Sequence, residues 1–499
     1  MFKTLLLKEI RETIITGKFI IATLLCLILI PLGMYVTTKE YSQSINDYRQ
    51  AVKLYQQRSE GKVVARFKAE GYRPPSPLSV FAVGLEPVLP NKAVTSESRY
   101  ASQEAMAGVV KISNESGFHN PLAALFGKMD FLFNVGFVLS IFALLFTFAG
   151  ITGERELGTL KLIISYPVPR WKILLAKITG NFLVFLLPFL VSFLISLLVL
   201  NLSGIFSMDA AGVSHAILVI FGVTVLFLFC MFTFGILLSV FSKHSMTAIV
   251  LMLFIWVVFA LVIPKFSPMI AQIIKPVESD QILSSKIQNV REDLRNEQLD
   301  RGDKLFTDLM GRHGHTVDDY LHGLVITEDE RKLIDTEYDG LVGPIREEYA
   351  GKILQATLQL QRNYDNALHE QETVAMQFSR LSPICCFTYI LTDLAGTGLL
   401  EIGNFTRQAE RFQEQVKQTL YDKFVYHQYG AGRRYYIYLE DVKGSTLNGK
   451  MPVPGMYDYH YLTIREVIRY RWVDILLLTL YTILFFAGAF VRFIRYDVR

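Results

Sequence analysis

The chain has 499 residues, of which 51% are hydrophobic and 19% are charged, and its formal net charge at pH 7 is +4. Soluble globular proteins usually carry about 25% charged residues, so this composition argues against a soluble domain and favours a membrane protein. The net charge is small and is not gathered into a basic, aromatic patch, so we expect no nucleic-acid partner. The four cysteines do not have the spacing of a disulfide framework.

The first predicted element is an amphipathic helix over residues 1–17 that lies at the membrane interface. Phe2 and Ile10 fall on its apolar side, and Lys8 lies opposite. The basic leader extends to Lys18, and no small-x-small cleavage site follows the first apolar run. We therefore interpret that run as a membrane helix rather than a cleaved signal peptide.

Six apolar runs are long enough to cross a bilayer, because a spanning helix needs about 20 mostly apolar residues to cover a core about 30 Å thick. The predicted spans are 18–38, 129–152, 173–202, 214–242, 245–264 and 472–492. No charged residue lies in the middle of these runs, which argues against an ordinary proton- or sodium-coupled carrier.

The runs do contain Asn, Ser and Thr side chains, which would suit the path of an amphiphilic or lipid-like substrate. Ordinary packing between helices explains the same residues equally well. They are Asn134, Thr147, Asn181, Ser192, Ser196, Thr224 and Thr233.

Lysine and arginine predict the orientation of the chain. They gather before the first run, between the second and third, between the fourth and fifth, and in the tail 493–499, whereas the loop 203–213 has none. Basic flanks mark the cytoplasmic side, so we expect both termini to be cytoplasmic. Arg465, Arg469 and Arg471 at the outer end of the last run are at odds with this rule, but long translocated regions follow it poorly.

Two polar insertions, 39–128 and 265–470, are expected on the extracytoplasmic side. Residues 279–310 and 344–380 have apolar side chains at helical spacing and predict a helical hairpin. The segment RRYYIYLEDV, after residue 430, predicts a strand. The expected fold is an α-helical polytopic membrane protein with six transmembrane helices. Its two insertions pack together as one large mixed α/β extracytoplasmic domain.

The segment GRHGHTVDDYLHG contains a candidate metal site formed by His313, His315, Asp318 and His322. Asp318 and His322 are one helical turn apart, so zinc or copper ligation is chemically possible. The alternative is a polar loop that leads into a helix, with aspartate as its cap.

The segment GSTLNGK at 444–450 has the spacing of a phosphate-binding loop, but Met451 stands where Ser or Thr should bind magnesium. Pro452 and Pro454 also forbid the helix that would hold the phosphates. We therefore expect that the chain is not an ATPase and carries no cofactor of its own.

The loop at 153–172, within GERELGTLKLIISYPVPRWKILLAK, holds more patterned charge than a membrane hairpin needs. Three charged residues end one span, Leu and Ile follow at helical spacing, and two prolines stop that helix. The apolar face is predicted to comprise Leu157, Leu160, Ile163 and Ile164. This pattern indicates a short helix that lies flat under the bilayer as a docking surface.

These residues resemble the permease subunits of type-2 ABC exporters, which carry a pattern like E-R-E-x-G-T-L, then P-x-x-R, then a lysine that opens the third span. The matching residues are Glu154, Arg155, Glu156, Gly158, Thr159, Leu160, Pro167, Arg170 and Lys177. The resemblance covers the membrane half, and the large insertions look like the subgroup with a big extracytoplasmic domain. It implies no particular substrate.

The resemblance implies that 153–172 is a coupling helix that binds a separate ATPase subunit, present in two copies with ATP and Mg²⁺. It also implies a second permease copy or a paralogue, and a location in the bacterial inner membrane. Two functions remain open. One is ATP-driven export. The other is mechanotransmission, in which the outer domain moves to control an extracytoplasmic protein and nothing crosses.

Overall fold

A computed structural model describes residues 2–59, 68–96, 111–113, 128–165, 168–204, 212–322, 326–429, 433–438 and 457–495. Most of these residues are helical. The helices of the membrane part, in chain order, are α1 (Phe2–Ile14), α2 (Gly17–Ser59), α3 (Phe131–Glu156), α4 (Thr159–Ser165), α5 (Arg170–Leu202), α6 (Val213–Phe241) and α7 (Ser245–Ile274). The last membrane helix, named α13 here, is Ile464–Ile494.

Phenylalanine side chains fill the centre of the bundle. Phe185 on α5 and Phe232 on α6 are fully buried and lie with their ring centroids 5.8 Å apart. Large aromatic side chains bury much apolar area, so they fix how these helices pack. Helices α3 and α6 approach most closely at Gly235, where an added Cβ would lie 1.9 Å from Thr147 Oγ1.

The structure does not match the predicted count of six transmembrane helices. Seven helices are long and apolar enough to cross a membrane, and the additional one covers Pro383–Gln415. It consists of α11 (Pro383–Leu394) and the first part of α12 (Leu399–Lys423). The sequence hides this element because its apolar stretch is short and contains Thr and Asp side chains.

The predicted helical hairpin is confirmed. Helices α8 (Asp280–Arg312) and α10 (Glu328–Ser379), joined through the short α9 (Val317–His322), pack side by side and are called the stalk below. Arg301 Nη1 donates to Glu348 Oε2 at 3.0 Å, and a Cβ at Gly302 would lie 3.3 Å from the Tyr338 hydroxyl oxygen.

The described residues do not support the predicted large mixed α/β domain. The described strands are short: β1 (Lys68–Tyr72), β2 (Lys92–Ser96) and β3 (Lys111–Ser113) form one antiparallel sheet, and β4 (Phe424–Tyr429) pairs with β5 (Arg433–Tyr438). The strand predicted in RRYYIYLEDV corresponds to β5. Helix dominates this region because Glu, Gln, Lys and Leu, which have high helix propensity, fill the stalk.

The first insertion packs against the segment between α11 and α12, and we call this contact the outer base. Ser76 Oγ donates to the Ala395 carbonyl at 2.6 Å, and Thr397 Oγ1 donates to the Ala82 carbonyl at 2.8 Å. Arg73 pairs with Glu86 at 2.9 Å beside them. Burial raises the pKa of Glu86, and the Arg73 guanidinium opposes that rise.

Candidate functional site

The loop 153–172, called the coupling segment below, contains a sharp reversal followed by a short helix. Helix α3 ends at Glu156, and Gly158 adopts φ +75° before α4 begins at Thr159. A left-handed residue after a helix is usually glycine, because a side chain there would be strained. Thr159 Oγ1 donates to the Glu154 carbonyl at 3.3 Å across this reversal. Pro167 lies outside the described residues.

One side of α4 is buried in the membrane bundle. Leu160 is 1% exposed and belongs to a cluster that includes Ile151, Val240 and Phe493. Ile163 and Ile164 pack against the same cluster and are partly buried.

The other side of the coupling segment presents apolar side chains to its surroundings. Leu157 is 79% exposed and Leu162 is 65% exposed. Leu157 and Leu160 therefore do not lie on one face, contrary to the predicted apolar face of Leu157, Leu160, Ile163 and Ile164. The reversal at Gly158 interrupts the helical periodicity, so Leu157 caps α3 rather than extending the face of α4.

Glu154 joins the coupling segment to α5 and, through it, to α1. Its Oε1 lies 2.6 Å from Lys177 Nζ, which is also 2.9 Å from Glu9 Oε1 on α1. The Lys177 side chain is only 3% exposed, so the two carboxylates compensate a buried charge. Thr13, also on α1, donates to the Asn181 side chain beside this pair.

Three further polar residues of the coupling segment each contact the end of another helix. Arg155 Nη1 donates to the Ser242 carbonyl at the end of α6, at 2.6 Å. Glu156 accepts from the Ser245 amide at 2.9 Å and from its hydroxyl at 2.7 Å, at the start of α7. Arg170 donates to the carbonyl of Ile494 on α13. The structure thus brings the charges predicted from the sequence together in one short segment, and each of them binds another helix. We call this segment, with its contacts to those helices, the platform.

The sequence interpretation missed a second group of charges in the half of α13 away from the coupling segment, which we call its outer half, and we call this group the outer charge network. Arg380 donates through Nε and Nη2 to the two carboxylate oxygens of Asp474, at 2.7 and 3.1 Å. Arg471 pairs with Asp393 and lies 3.5 Å from Asp474. The Asp474 side chain is 0% exposed and that of Arg471 is 4% exposed.

The hydrogen bond to Asp474 raises the pKa of Arg380, which stays charged. Arg471 is one of the three arginines near the start of the last span that are at odds with the rule that basic flanks mark the cytoplasmic side. Because Arg471 pairs with acidic side chains, it does not act as a free positive charge in that rule. Asp474 lies at the start of the last predicted span, 472–492, and together with the misplaced Arg471 it was the signal of the network in the sequence.

The candidate metal residues do not converge. His313 Nε2 lies 3.0 Å from Glu337 Oε2, and His315 Nε2 lies 4.0 Å from Glu330 Oε1. His322 Nδ1 contacts the backbone carbonyl of Asp318 rather than its carboxylate. Across the described parts of the chain, no group of three or more His, Cys, Asp or Glu side chains could hold a metal ion.

The polar side chains considered as a substrate path are buried within the single chain. Thr224 Oγ1 donates to the Ile220 carbonyl and Ser192 Oγ to the Pro188 carbonyl, each one turn earlier on its own helix. Asn134 Nδ2 reaches across to the Leu29 carbonyl on α2 at 3.0 Å. These contacts are those of helix packing, so the residues provide no argument for an amphiphilic substrate.

A bundle of long apolar helices, with the short helix α4 bound to it between α3 and α5, defines a polytopic membrane protein. Residues 3–498 match the family described as ABC-2 family transporter protein, so the chain belongs to that family. It is therefore an ABC permease, a membrane component that is not itself the ATPase and that acts with an ATPase partner. No curated protein matches the chain.

Proposed function

We propose that this chain is the permease subunit of an ATP-driven exporter and that its coupling segment binds the separate ATPase subunit. The observation that supports this most directly is a platform braced to four helices that leaves Leu157 and Leu162 exposed. Exposed apolar side chains on a rigid element suit insertion into a groove of a partner protein.

The contacts between the platform and the membrane helices would let it transmit force. Two ATPase copies that close on ATP and Mg²⁺ must push on something rigid, and the contacts from Glu154, Arg155 and Arg170 would pass that push to α5, α6 and α13. The proposal places the coupling segment and both termini in the cytoplasm of a bacterium. It pairs this chain with a second permease copy or a paralogue in the inner membrane.

The test replaces both exposed leucines, Leu157→Asp and Leu162→Asp, in the full chain expressed with its neighbouring ATPase. We expect the ATPase to stop co-purifying with the membrane protein and its stimulated hydrolysis to be lost, because two charges cannot enter an apolar groove. The matched control is Leu299→Asp with Leu321→Asp. These leucines are 54% and 67% exposed on the stalk and should leave both readouts unchanged.

Retention of the ATPase by the Leu157 and Leu162 variant would show that the coupling segment is not the binding surface. Leu160→Asp is unsuitable for this experiment because Leu160 is buried and its replacement would disturb the bundle itself.

The stalk favours mechanotransmission as a second candidate function. Helix α10 has 52 residues and therefore extends about 78 Å at about 1.5 Å per residue. An exporter with its path inside the membrane does not need so long an extension, whereas control of an outside protein does.

The two functions are separated in vesicles that contain the permease and its ATPase. ATP-dependent transfer of any tracer in a panel of polar, apolar and amphiphilic fluorescent compounds across the membrane supports export. A nucleotide-dependent movement of the stalk without such transfer supports mechanotransmission.

A further inference from the structure

We propose that α13 is the rod that carries movement of the coupling segment to the stalk, and that Arg380 and Asp474 form the joint in its outer half. This inference rests on the proposed function, because it assumes that an ATPase moves the coupling segment. It goes beyond that function in naming which membrane helix transmits the movement and which residues connect it to the outside.

The rod itself is a continuous helix of 31 residues, about 46 Å long at about 1.5 Å per residue. It contains no proline, and a capping box fixes its start: the Thr463 side chain accepts from the Glu466 amide, and the Glu466 carboxylate bonds back to Thr463. A helix of this length without a break moves as one body.

The inner end of α13 is in direct contact with the coupling segment. Phe493 is 1% exposed and lies in the same buried cluster as Leu160. Arg170 donates to the Ile494 carbonyl one residue later. A displacement of the coupling segment therefore reaches α13 through the packed side chains of α4 and the charge-assisted hydrogen bond of Arg170.

The outer half of α13 is fixed to the base of the stalk. Arg380 follows directly after the last residue of α10, and its guanidinium forms the two-point contact with Asp474 described above. Tyr481 donates from its hydroxyl to the Arg380 carbonyl at 2.9 Å, so α13 holds both the side chain and the backbone of this residue. Arg471 and Asp393 add a second buried pair that also holds α11.

Geometry distinguishes this joint from the polar contact between α7 and the stalk. Lys275, just past α7, pairs with Glu370 on α10 at 2.8 Å, and its carbonyl accepts from Gln371 Nε2 at 2.7 Å, but the Lys275 and Glu370 side chains are 50% and 61% exposed. Exposed single-point ion pairs contribute little and rearrange easily. A planar guanidinium that meets both oxygens of a buried carboxylate has a fixed direction, so it transmits displacement and rotation.

The experiment measures stalk movement with spin labels in the full complex with the ATPase. The four native cysteines are buried, so labels attach to two introduced ones, Asn296→Cys on the exposed side of the stalk and Asp47→Cys on the outer part of α2. ATP with vanadate should shift the distance between the labels in the otherwise unchanged protein. Asp474→Asn and Arg380→Gln should each abolish that shift, while the ATPase still co-purifies and hydrolyses ATP.

Two graded variants keep the test informative if removal of a buried charge impairs folding. Arg380→Lys keeps the charge without the two-point contact, and Tyr481→Phe removes only the hydrogen bond to the Arg380 carbonyl. Both should give a smaller shift than the unchanged protein. The matched control is Lys275→Gln with Glu370→Gln, which removes the exposed pair and should leave the full shift.

A full shift in the Asp474→Asn and Arg380→Gln variants would overturn the proposal, as would loss of the shift in the control. Absence of any shift in the unchanged protein would overturn it too. Failure of the proposed function has a different signature, because the ATPase would then not bind the coupling segment of the unchanged protein at all.

Discussion

Lys177 shows how much the coupling end depends on a single buried charge. Its ammonium lies between Glu9 and Glu154, and removal of the ammonium would leave two buried carboxylates facing each other. Loss of one partner from a buried ion pair destabilises a protein by about 3 to 5 kcal/mol. We therefore expect Lys177→Met to lower the thermal unfolding midpoint of the purified protein strongly and to weaken the contact between α1 and α5.

Two companion variants test whether the loss of stability comes from the unpaired buried carboxylates rather than from the loss of any lysine. Lys275→Met removes one partner of an exposed pair and should leave the unfolding midpoint nearly unchanged. Lys177→Met combined with Glu9→Leu and Glu154→Leu should recover most of the lost stability, because apolar replacement of a whole buried ionic group is often neutral. An unfolding midpoint for Lys177→Met equal to that of Lys275→Met would contradict the role given to this charge.

At the scale of elements, α6 depends on the absence of a side chain at Gly235. An added Cβ would lie 1.9 Å from Thr147 Oγ1 and 3.3 Å from Leu144 Cδ2, so α3 and α6 would have to separate. Overpacking of this kind costs about 1 to 3 kcal/mol. We expect Gly235→Ala to lower the unfolding midpoint, measured on the purified permease in detergent.

The matched control lies on the same helix. A Cβ at Gly222 would meet nothing within 4 Å. Gly222→Ala should therefore leave the midpoint unchanged or raise it slightly, because alanine favours helix over glycine by about 1 kcal/mol. Equal effects of the two substitutions would mean that helix propensity, not packing between α3 and α6, controls this region.

Elements that depend on local pattern could be predicted from the sequence, whereas those that depend on pairing across the chain could not. Apolar length and helical spacing sufficed for the stalk and for six of the seven described helices that are apolar enough to cross a membrane. The partner of Asp474, by contrast, is Arg380, 94 positions away, and no local pattern connects them. The exposure of Leu157 depends on the backbone at Gly158, which a periodicity argument takes to be regular.

The candidate site divides in the same way. The charges of 154–156 could be found because they interrupt apolar sequence. In the structure each of them binds a different helix. Glu9 was missed because a single acidic residue in an amphipathic helix looks like part of its polar face, although only 8% of it is exposed. Burial of a charge is a property of the assembled bundle, so composition does not reveal it.

At the scale of the whole molecule, the seventh apolar candidate, Pro383–Gln415, decides whether the two termini share a side. Helix α11 has 12 residues, which cover about 18 Å and not the roughly 30 Å of a bilayer core. Gly396, with φ +70°, then reverses the chain. Arg380, before α11, binds Asp474 in the outer half of α13. Ala395, after α11, accepts from Ser76 in the outer base.

Helix α12 returns to the same side. Asn404 Nδ2 donates to the His460 carbonyl at 3.1 Å, just before α13 begins. The two ends of α11 are thus bound to the outer half of α13 and to the outer base, which indicates an element that does not cross the bundle. The exposed ring of Trp472, 58% exposed near the start of the apolar part of α13, suits the outer interface at this level.

We therefore expect the N- and C-termini to lie on the same, cytoplasmic side. A fluorescent protein fused to either terminus should fluoresce, because it folds in the cytoplasm, and a periplasmic phosphatase fused to the C-terminus should be inactive. A cysteine at Asn296 on the stalk should react with an impermeant maleimide in cells with a permeable outer membrane, whereas one at Leu157 should react only after lysis. An active phosphatase at the C-terminus with a fluorescent N-terminus would mean that Pro383–Gln415 crosses the membrane. The stalk and the start of α13 would then lie on opposite sides of the membrane.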